Sequence, residues 1–411
     1  MVESRHRWTW ASAAAIAMAA SITVAAEEHV HGAGQSPAQM WQQMRARDQT
    51  LAVAVAFDGA GRLYRARVGA GHVVVDHSDD LGASFSAPVV VNPAPEPIEG
   101  EGDGRPKIAI ADDGAIYVSY TRMLDRPFSG DVRFSRSGDG GRSFSEPLTV
   151  NDDREVIGHR RDTLLAGPDG RVYIFWLDRR DEAAARKKGE PYAGAAVYYA
   201  VSRDRGASFS PNVRLVDHAC ECCRIAAARG AGGAPAVFWR HIYEGNERDH
   251  AFVLLDGRHH PVRVSDHRWR IEACPHHGPS LSVDAQGVYH LAWFDNAEQA
   301  RGLFYARSPD GERFSPPMAF GDVAAQPGHP DVISVGREVV LAWKQFDGER
   351  ASAWIMRSED GGGTWSVPLR VGDTADASDH PLLAARKGRI FLSWNTADEG
   401  FRLFAIDEVS K

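Results

Sequence analysis

The chain has 411 residues, of which 43% are hydrophobic and 25% are charged, so it can fold around a large core. Its formal net charge of -8 leaves no surplus of basic residues to neutralise phosphates, which argues against nucleic acid as the main partner. The 40 glycines and 11 tryptophans favour tight turns and large aromatic packing groups, as in all-β proteins.

The N-terminal segment has the composition of an export signal. Arg5 and Arg7 give it a positive start, residues 8–24 are Ala-rich and almost uncharged, and small residues follow at the cleavage positions. Residues 1–26 are therefore predicted to be a signal peptide, with a mature chain that begins near Glu27 and is periplasmic or secreted. An uncleaved membrane anchor is the alternative.

From about residue 50, short alternating hydrophobic runs bounded by Gly, Asp and Asn repeat to the end of the chain. Groups of these runs begin at intervals of 56, 62, 55, 51 and 51 residues: Pro106, Asp162, Arg224, Pro279, Pro330 and Pro381. A regular period of four-stranded units predicts a β-propeller, because a single blade cannot cover both faces of its own sheet.

Residues 50–411 are thus predicted to form one all-β propeller domain. Six groups supply about four strands each, while residues 381–408 supply three. We expect seven blades, with residues 27–49 contributing the missing strand and so latching the ring. A six-bladed ring is the alternative.

A second repeated motif lies in the turns. Residues 78–85 fit the pattern Ser-x-Asp-x-Gly-x-Ser/Thr-Phe/Trp, and so do residues 137–144, 202–209 and 358–365. The Asp carboxylate can accept hydrogen bonds from backbone N–H groups of its own turn, the Gly permits positive φ, and the aromatic ring fills the gap between sheets. The motif is therefore predicted to be structural rather than catalytic.

These motifs are Asp boxes, and over roughly residues 50–410 the chain resembles the sialidase-like Asp-box propellers, also called BNR-repeat proteins. The resemblance implies the fold but no particular activity, since many such proteins are not sialidases. In the family the Asp box lies between the third and outermost strands, on the face opposite the functional one. Functional residues are therefore expected in the loops that lead into the first strands.

All four cysteines and several histidines fall in those loops, which ring closure would bring together at the central mouth. The candidate metal ligands are Cys220, Cys222, Cys223, Cys274, His218, His276, His277, His329 and His380. Thiolate and imidazole ligands favour copper, particularly Cu(I), with zinc next. The sequence therefore predicts an exported propeller that binds or handles copper.

Disulfide bonding is the structural alternative for the cysteines. An even number of cysteines in an exported protein normally pairs, and four cysteines allow three connectivities. The mouth would then serve a protein partner, or another small molecule, rather than a metal ion. A peripheral membrane partner also stays open.

The resemblance implies a further alternative, a glycoside hydrolase of the exo-α-sialidase type. Family sialidases bind the substrate carboxylate with three arginines and use a tyrosine, paired with a glutamate, as nucleophile. The candidates in this sequence are Arg105, Arg224, Arg240 and Tyr192. The Arg-Ile-Pro signature expected before the first arginine is absent, so the sequence leaves open whether the protein is an enzyme.

Overall fold

The structure, a computed structural model, describes residues 36–46 and 49–409. The predicted signal peptide, residues 1–26, lies outside the described residues. The described chain contains two α-helices, α1 (Pro37–Ala46) and α2 (Arg180–Lys188), together with 27 strands and five short 3-10 helices. Within that part of the chain, no helix combines the length and apolar character needed to cross a membrane.

The first four sheets each contain four antiparallel strands in sequence order. Sheet 1 has β1 (Gln49–Phe57), β2 (Leu63–Gly69), β3 (His72–Ser78) and β4 (Val89–Val90). Sheet 2 has β5 (Lys107–Ile110), β6 (Ile116–Met123), β7 (Gly130–Ser137) and β8 (Leu148–Thr149). Sheet 3 has β9 (His159–Ala166), β10 (Val172–Asp178), β11 (Ala195–Ser202) and β12 (Val213–Ala219). Sheet 4 has β13 (Ala226–Arg229), β14 (Pro235–Arg240), β15 (His250–Leu254) and β16 (Val262–Arg263).

The remaining three sheets continue the same meander, except that the last has three strands. Sheet 5 has β17 (Ser280–Val283), β18 (Tyr289–Ala297), β19 (Ala300–Ser308) and β20 (Met318–Phe320). Sheet 6 has β21 (Gly328–Val335), β22 (Glu338–Phe346), β23 (Ala351–Ser358) and β24 (Leu369–Thr374). Sheet 7 has β25 (Leu382–Arg386), β26 (Arg389–Thr396) and β27 (Gly400–Ala405).

The seven sheets close into a ring. The first strand of each sheet contacts the first strand of the next, and β25 of the last sheet contacts β1 of the first. The fold is therefore a seven-bladed all-β propeller, as predicted. The tryptophans that close five of the second strands are almost completely buried, consistent with packing between blades: Trp176, Trp239, Trp293, Trp343 and Trp394.

The ring is closed differently from the sequence prediction. Within the segment 27–49, Pro37–Ala46 form α1 and Gln49 begins β1 of the first sheet, and sheet 7 has no fourth strand among the described residues. Pro37 at the start of α1 and the Gln, Met and Ala residues after it favour a helix, and α1 itself contains no β-branched residue. The prediction of a latching strand is therefore wrong for these residues.

Helix α1 packs against blade 2. Trp41 is buried, and its indole N–H donates to the carbonyl of Leu124 at 2.8 Å. Hydrogen bonds from and to side chains, rather than an added strand, connect blades 7 and 1. The Asn395 amide donates to the carbonyl of Leu51 at 2.8 Å, and the backbone N–H of Val53 donates to the Asp379 carboxylate at 3.0 Å.

The Asp-box turns have the geometry predicted for them. Each lies between a third and a fourth strand, and the box residues of blade 1 show the pattern. The Ser78 hydroxyl donates to Asp80 at 2.7 Å, and the backbone N–H of Ser84 donates to Asp80 at 2.8 Å. Gly82 has a φ of 88°, and the Phe85 ring meets Phe401 of the neighbouring blade edge-on.

Candidate metal site at the mouth of the propeller

The loops predicted to form the mouth emerge at one end of the blades. Because neighbouring strands run antiparallel, loops leading into first strands and loops joining second to third strands lie at the same end. The loop between β12 and β13 carries three cysteines, and the loop between β16 and β17 carries Cys274 and two histidines. Helix α2 occupies the loop between β10 and β11.

Three cysteines form a compact cluster of sulfur atoms, the inner sulfur group, which consists of Cys220, Cys222 and Cys223. Their Sγ atoms are 3.6, 3.6 and 3.9 Å apart, and the side chains are only 1%, 5% and 2% exposed. The distances are far beyond a disulfide bond of about 2.05 Å. All four cysteines are free thiols, so the disulfide alternative is wrong for this structure.

The size of the inner sulfur group matches a metal ion bound to sulfur. A circle through three points at these separations has a radius of about 2.1 Å, close to the metal–thiolate bond length of about 2.3 Å. An ion slightly above the plane of the sulfurs would therefore reach all three without movement of the backbone. The loop that carries Cys220, Cys222 and Cys223 therefore curls around a common centre.

Cationic groups favour one negative charge in the inner sulfur group. Hydrogen bonds from the Cys222 and Cys223 thiols lower the pKa of Cys220 well below its ordinary value, with further lowering by Arg240 and Arg248. The Arg248 guanidinium donates directly to Cys220 Sγ at 3.3 Å. Cys220 is therefore the thiolate of the group.

The other two sulfurs keep their protons in the metal-free protein. Burial and the hydrogen bond to Cys220 raise the pKa of Cys222 well above its ordinary value. The hydrogen bond to Cys220 likewise raises the pKa of Cys223. A bound cation would supply the charge that allows these two thiols to ionise, because metal ligation requires deprotonated sulfur.

Two further ligands lie at the solvent side of the inner sulfur group. The sulfurs of Cys222 and Cys274 and an imidazole nitrogen of His276 all lie within 4.8 Å of one another. Cys274 is exposed and His276 is half-buried. These three residues form the outer group, which shares Cys222 with the inner one.

The predicted ligands His329 and His380 lie in a separate cluster with Asp103. Ligand atoms of the three residues lie within 4.8 Å of one another, and the two imidazole rings stack with centroids 3.4 Å apart and planes 16° apart. Burial lowers the pKa of both histidines well below the ordinary value, so both imidazoles are neutral. Nearly parallel rings direct their nitrogen lone pairs side by side, so convergence on one ion would require ring rotation.

Asp103 connects the two clusters. Its carboxylate accepts hydrogen bonds from the backbone N–H of Gly278 at 3.2 Å and from the Arg224 guanidinium at 3.1 Å. Burial alone would raise the pKa of Asp103, but the Arg224 guanidinium, helped by Arg161 and Arg105, outweighs this effect and lowers it. The loops that carry Cys223 and Cys274 are therefore held together by one buried anion.

Two predicted histidines occupy other positions. His218 lies beside Tyr192, with ring centroids 4.7 Å apart, and its Nδ1 is 3.1 Å from the carbonyl oxygen of Ala193. His277 packs against His329, with centroids 4.4 Å apart, and against Phe294. Neither residue is in a group whose ligand atoms converge, although both border such a group.

The backbone of the mouth is unusual at several of these residues. His218, His276 and His329 have φ values of 60°, 54° and 53°, a region that residues other than glycine adopt rarely. Register shifts place an irregularity in β21 at His329 and a matching one in β9 next to Arg161, which has a φ of 57°. Such irregularities re-aim side chains next to functional sites.

The residues proposed for a sialidase site are already engaged with the protein. Arg105 makes a bidentate pair with Asp379, with both distances at 2.7 Å. Arg224 donates to Asp103 and to the carbonyls of Pro279 and Pro330. Arg240 likewise donates to backbone carbonyls, and the Tyr192 hydroxyl donates to Asp217 at 2.9 Å.

Structure reveals three residues that the sequence reasoning did not single out: Asp103, Glu221 and Arg248. Arg248 lies in the loop between β14 and β15, which the topology places at the mouth, so the loop type was the available signal. Asp103 lies in a short 3-10 helix just before β5. Glu221 is held between Arg248 and Cys274, and burial and the Cys220 thiolate raise its pKa.

A cleft of about 530 Å³ opens beside the inner sulfur group. Its lining includes His218, Tyr243, Glu244, Arg248 and Glu272. Arg248 thus faces the cleft while it donates to Cys220. The cleft therefore brings solvent to within one side chain of the buried thiolate.

The propeller is similar in fold to several carbohydrate-active proteins of known structure. An ulvan lyase bound to -[GlcA(1-4)Rha3S]- aligns with a TM-score of 0.56 at 14% identity, over 87% of this chain and 93% of its own. An α-L-arabinofuranosidase from Fusarium graminearum aligns with a TM-score of 0.52 at 10% identity, over 90% and 96%. The intramolecular trans-sialidase from Ruminococcus gnavus, in complex with oseltamivir carboxylate, aligns with a TM-score of 0.50 at 12% identity, over 74% and 95%.

These similarities establish the fold alone, because identities this low carry no information about activity. They agree with the predicted resemblance to sialidase-like propellers at the level of architecture. No protein-family model matches the sequence, and no curated protein matches it.

Proposed function

We propose that this protein is an exported copper-binding protein whose inner sulfur group, Cys220, Cys222 and Cys223, holds one Cu(I) ion. The observation that carries the proposal is the convergence of three buried sulfurs at 3.6 to 3.9 Å around one centre. Three of the four cysteines of the protein lie in this cluster, and thiolates are the ligands that soft metal ions prefer.

The ligand set favours Cu(I) over zinc. Structural zinc sites are almost always tetrahedral with four protein ligands, whereas the inner group offers three sulfurs and places the Arg248 cation beside Cys220. Three thiolates with a monovalent ion carry a net negative charge, and Arg240, Arg248 and Arg161 lie close enough to balance it. Soft thiolate ligands also prefer Cu(I) intrinsically.

Export gives the site its context. We infer from the composition of residues 1–26 that the protein is periplasmic or secreted, where thiols need protection from oxidation. Burial of the inner sulfur group would provide that protection. Recovery from the periplasmic fraction of a mature chain that begins near Glu27 would support this part of the proposal, and a chain retained in the cytoplasm with Met1 intact would contradict it.

The decisive experiment is a Cu(I) titration of reduced protein under anaerobic conditions, in competition with a chromophoric Cu(I) chelator. We expect one tightly bound Cu(I) per chain, and loss of this binding in the double variant Cys222→Ser with Cys223→Ser. The exposed His260, which lies in the turn between β15 and β16 at the other end of the blade, supplies a matched control. His260→Ala should bind as the wild type does.

Two outcomes would contradict the proposal. Wild-type protein that binds Cu(I) no more tightly than the double variant would remove the inner sulfur group as the site. Wild-type protein that takes up Zn²⁺ in preference to Cu(I), when both are offered, would replace copper by zinc. Circular dichroism and thermal unfolding of each variant separate loss of ligands from loss of fold.

A glycan-cleaving activity is less well supported. The fold neighbours are described as a lyase, an arabinofuranosidase and a trans-sialidase. In this chain, however, the candidate arginines are bonded to Asp379, to Asp103 and to backbone carbonyls, which leaves no free cluster for a substrate carboxylate. Release of sugar from a glycoside panel, lost on Arg224→Ala, would revive the activity.

A further inference from the structure

The outer group contains one residue that also belongs to the inner sulfur group. Cys222 lies within 4.8 Å of Cys274 and His276 on one side and within 3.9 Å of both Cys220 and Cys223 on the other. A sulfur that reaches two sets of ligands can remain bound to an ion while the remaining ligands are exchanged.

The two groups differ sharply in access to solvent. The inner sulfurs are 5% exposed or less, whereas Cys274 is exposed and His276 is half-buried. An ion delivered from solvent or from a donor can therefore contact Cys274 directly, whereas the inner sulfurs are covered by protein. The cleft opens nearby: Arg248 on its wall contacts Cys220, and Glu272 on its wall is two residues from Cys274 in the chain.

The outer ligands are held in place. His276 has a φ of 54°, so its backbone is fixed in a rarely adopted conformation. Glu221 Oε1 lies 3.9 Å from Cys274 Sγ, and Glu221 Oε2 lies 3.7 Å from an Arg248 nitrogen. Glu221 Oε2 is buried and makes no hydrogen bond, so the Arg248 guanidinium is its charge partner.

We propose that Cys222, Cys274 and His276 form an outer coordination position through which Cu(I) enters and leaves the inner sulfur group. This inference rests on the proposed copper function and names the route of the ion. In the transfer step Cys222 Sγ stays bound to copper. The bonds to Cys274 Sγ and the His276 imidazole break as bonds to Cys220 and Cys223 Sγ form.

The step balances without a redox partner. Copper remains Cu(I), and any proton that Cys220 or Cys223 loses as its sulfur binds the ion passes to water. The Cys274 thiolate regains a proton from water once the ion has moved inward. In this arrangement the buried sulfurs store the ion, and Cys274 and His276 exchange it with the surroundings.

The test measures the kinetics of loading and of unloading. Cu(I) is supplied to reduced, full-length protein as a complex with glutathione, and removal is followed with an excess of a chromophoric Cu(I) chelator. In Cys274→Ser and in His276→Gln we expect both rates to fall by at least about tenfold relative to wild type. His260→Ala is the control and should retain both rates.

Equal loading rates in wild type and in Cys274→Ser would overturn the outer position while the copper function stands. Absence of Cu(I) binding in the wild type would instead overturn the copper function itself, so the two failures are distinguishable. Cys220→Ser supplies an independent check. It should still capture Cu(I) transiently at the outer position but release it to the chelator at least about tenfold faster than wild type.

Discussion

At the scale of single residues, Arg248 stabilises the negative charge of Cys220. It is buried, donates to Cys220 and also faces the cleft. Hydrogen bonds to charged groups contribute more than neutral ones because the full charge strengthens the electrostatic attraction. Arg248 therefore connects the chemistry of the sulfurs to the surface from which a donor would approach.

Replacement of Arg248 by Gln should weaken Cu(I) binding about ten- to hundredfold, the equivalent of the 1.5–3 kcal/mol typical of a hydrogen bond to a charged group. The anionic copper site would lose a direct donor at 3.3 Å, and Arg240 and Arg161 would remain to balance it. Chelator competition measures the change. The exposed Arg258, paired only with Asp256, is the control, and an Arg248→Gln protein that binds as tightly as Arg258→Gln would contradict the role.

Glu99 is the clearest single-residue determinant of acid stability. Its carboxylate is fully buried and pairs with Arg160 at 2.5 Å and with Arg161 at 3.3 Å. Burial alone would raise the pKa of Glu99, but these arginines reverse the effect and lower the pKa from 4.5 to about 2. A folded-state pKa below the unfolded value means stability that is present above about pH 4.5 and lost as pH falls towards 2.

We therefore expect the free energy of unfolding of the wild type to fall between about pH 4.5 and pH 2 more steeply than that of Glu99→Gln. The ionised form contributes on the order of 3 kcal/mol at neutral pH, so the variant should be destabilised at pH 7 and converge on the wild type in acid. Urea unfolding at a series of pH values measures this. The exposed Glu298→Gln should follow the wild-type curve, and a Glu99→Gln curve of the same slope would refute the assignment.

At the scale of elements, the two sulfur-bearing loops depend on close backbone packing. A Cβ built on Gly278 would lie 2.7 Å from the backbone N of Arg224 and 2.1 Å from its Cγ. No side chain larger than hydrogen fits without displacing one loop from the other. The contact sets the distance between two segments of chain. Cys274 and His276 lie just before Gly278, and the inner sulfurs lie just before Arg224.

Gly278→Ala should therefore move Cys274 and His276 away from the inner sulfur group without removing any ligand. We expect a loss of stability of about 1–3 kcal/mol from overpacking, together with slower exchange of Cu(I). Urea unfolding and the loading assay measure the two effects. Gly59, which has open space around its Cα, gives the control Gly59→Ala. Loading by Gly278→Ala at the wild-type rate would show that the loop contact does not set the route.

The sequence carried enough information for the blades but not for every element that closes them. The period of the strands and the Asp boxes depends on local pattern, so blade starts such as Asp162 and Pro330 fall inside β9 and β21 as observed. Residues 27–49 were predicted to form a strand because blade 7 lacked a fourth strand in the sequence pattern. The helix-forming residues of α1 competed with that requirement, and the local preference prevailed because Asn395 and Asp379 close the ring instead.

The sequence predicted which residues lie at the mouth, but not how these residues divide into separate clusters. Loop position brought the cysteines and histidines to one end, but no pattern in the sequence indicated that Cys220, Cys222 and Cys223 would converge while His329 and His380 stack beside Asp103. The division depends on left-handed backbone at His276 and His329, and on a carboxylate whose partners lie more than one hundred residues away in the chain. Such long-range contacts leave no periodic signal.

At the scale of the whole molecule, a buried ion pair helps to close the ring. The junction between blades 7 and 1 contains the buried pair Arg105 and Asp379, in which the side chains are 5% and 4% exposed. Asp379 also accepts from the backbone N–H of Val53 in β1, while Arg105 donates to the carbonyl of Val53 at 2.9 Å. One ion pair therefore ties the last blade to the first two.

Asp379→Asn should destabilise the whole propeller by about 3–5 kcal/mol, because it leaves the buried Arg105 cation without its carboxylate. The exposed pair between Arg389 and Asp407 is the matched control, and Asp407→Asn should cost no more than about 1 kcal/mol because solvent screens that pair. Urea unfolding measured by tryptophan fluorescence is suitable, since the tryptophans of five blades are buried. Because this junction closes the ring, Asp379→Asn should unfold in one transition, at a lower urea concentration than the wild type. Equal midpoints for the two variants would show that contacts other than the Arg105 pair hold the ring closed.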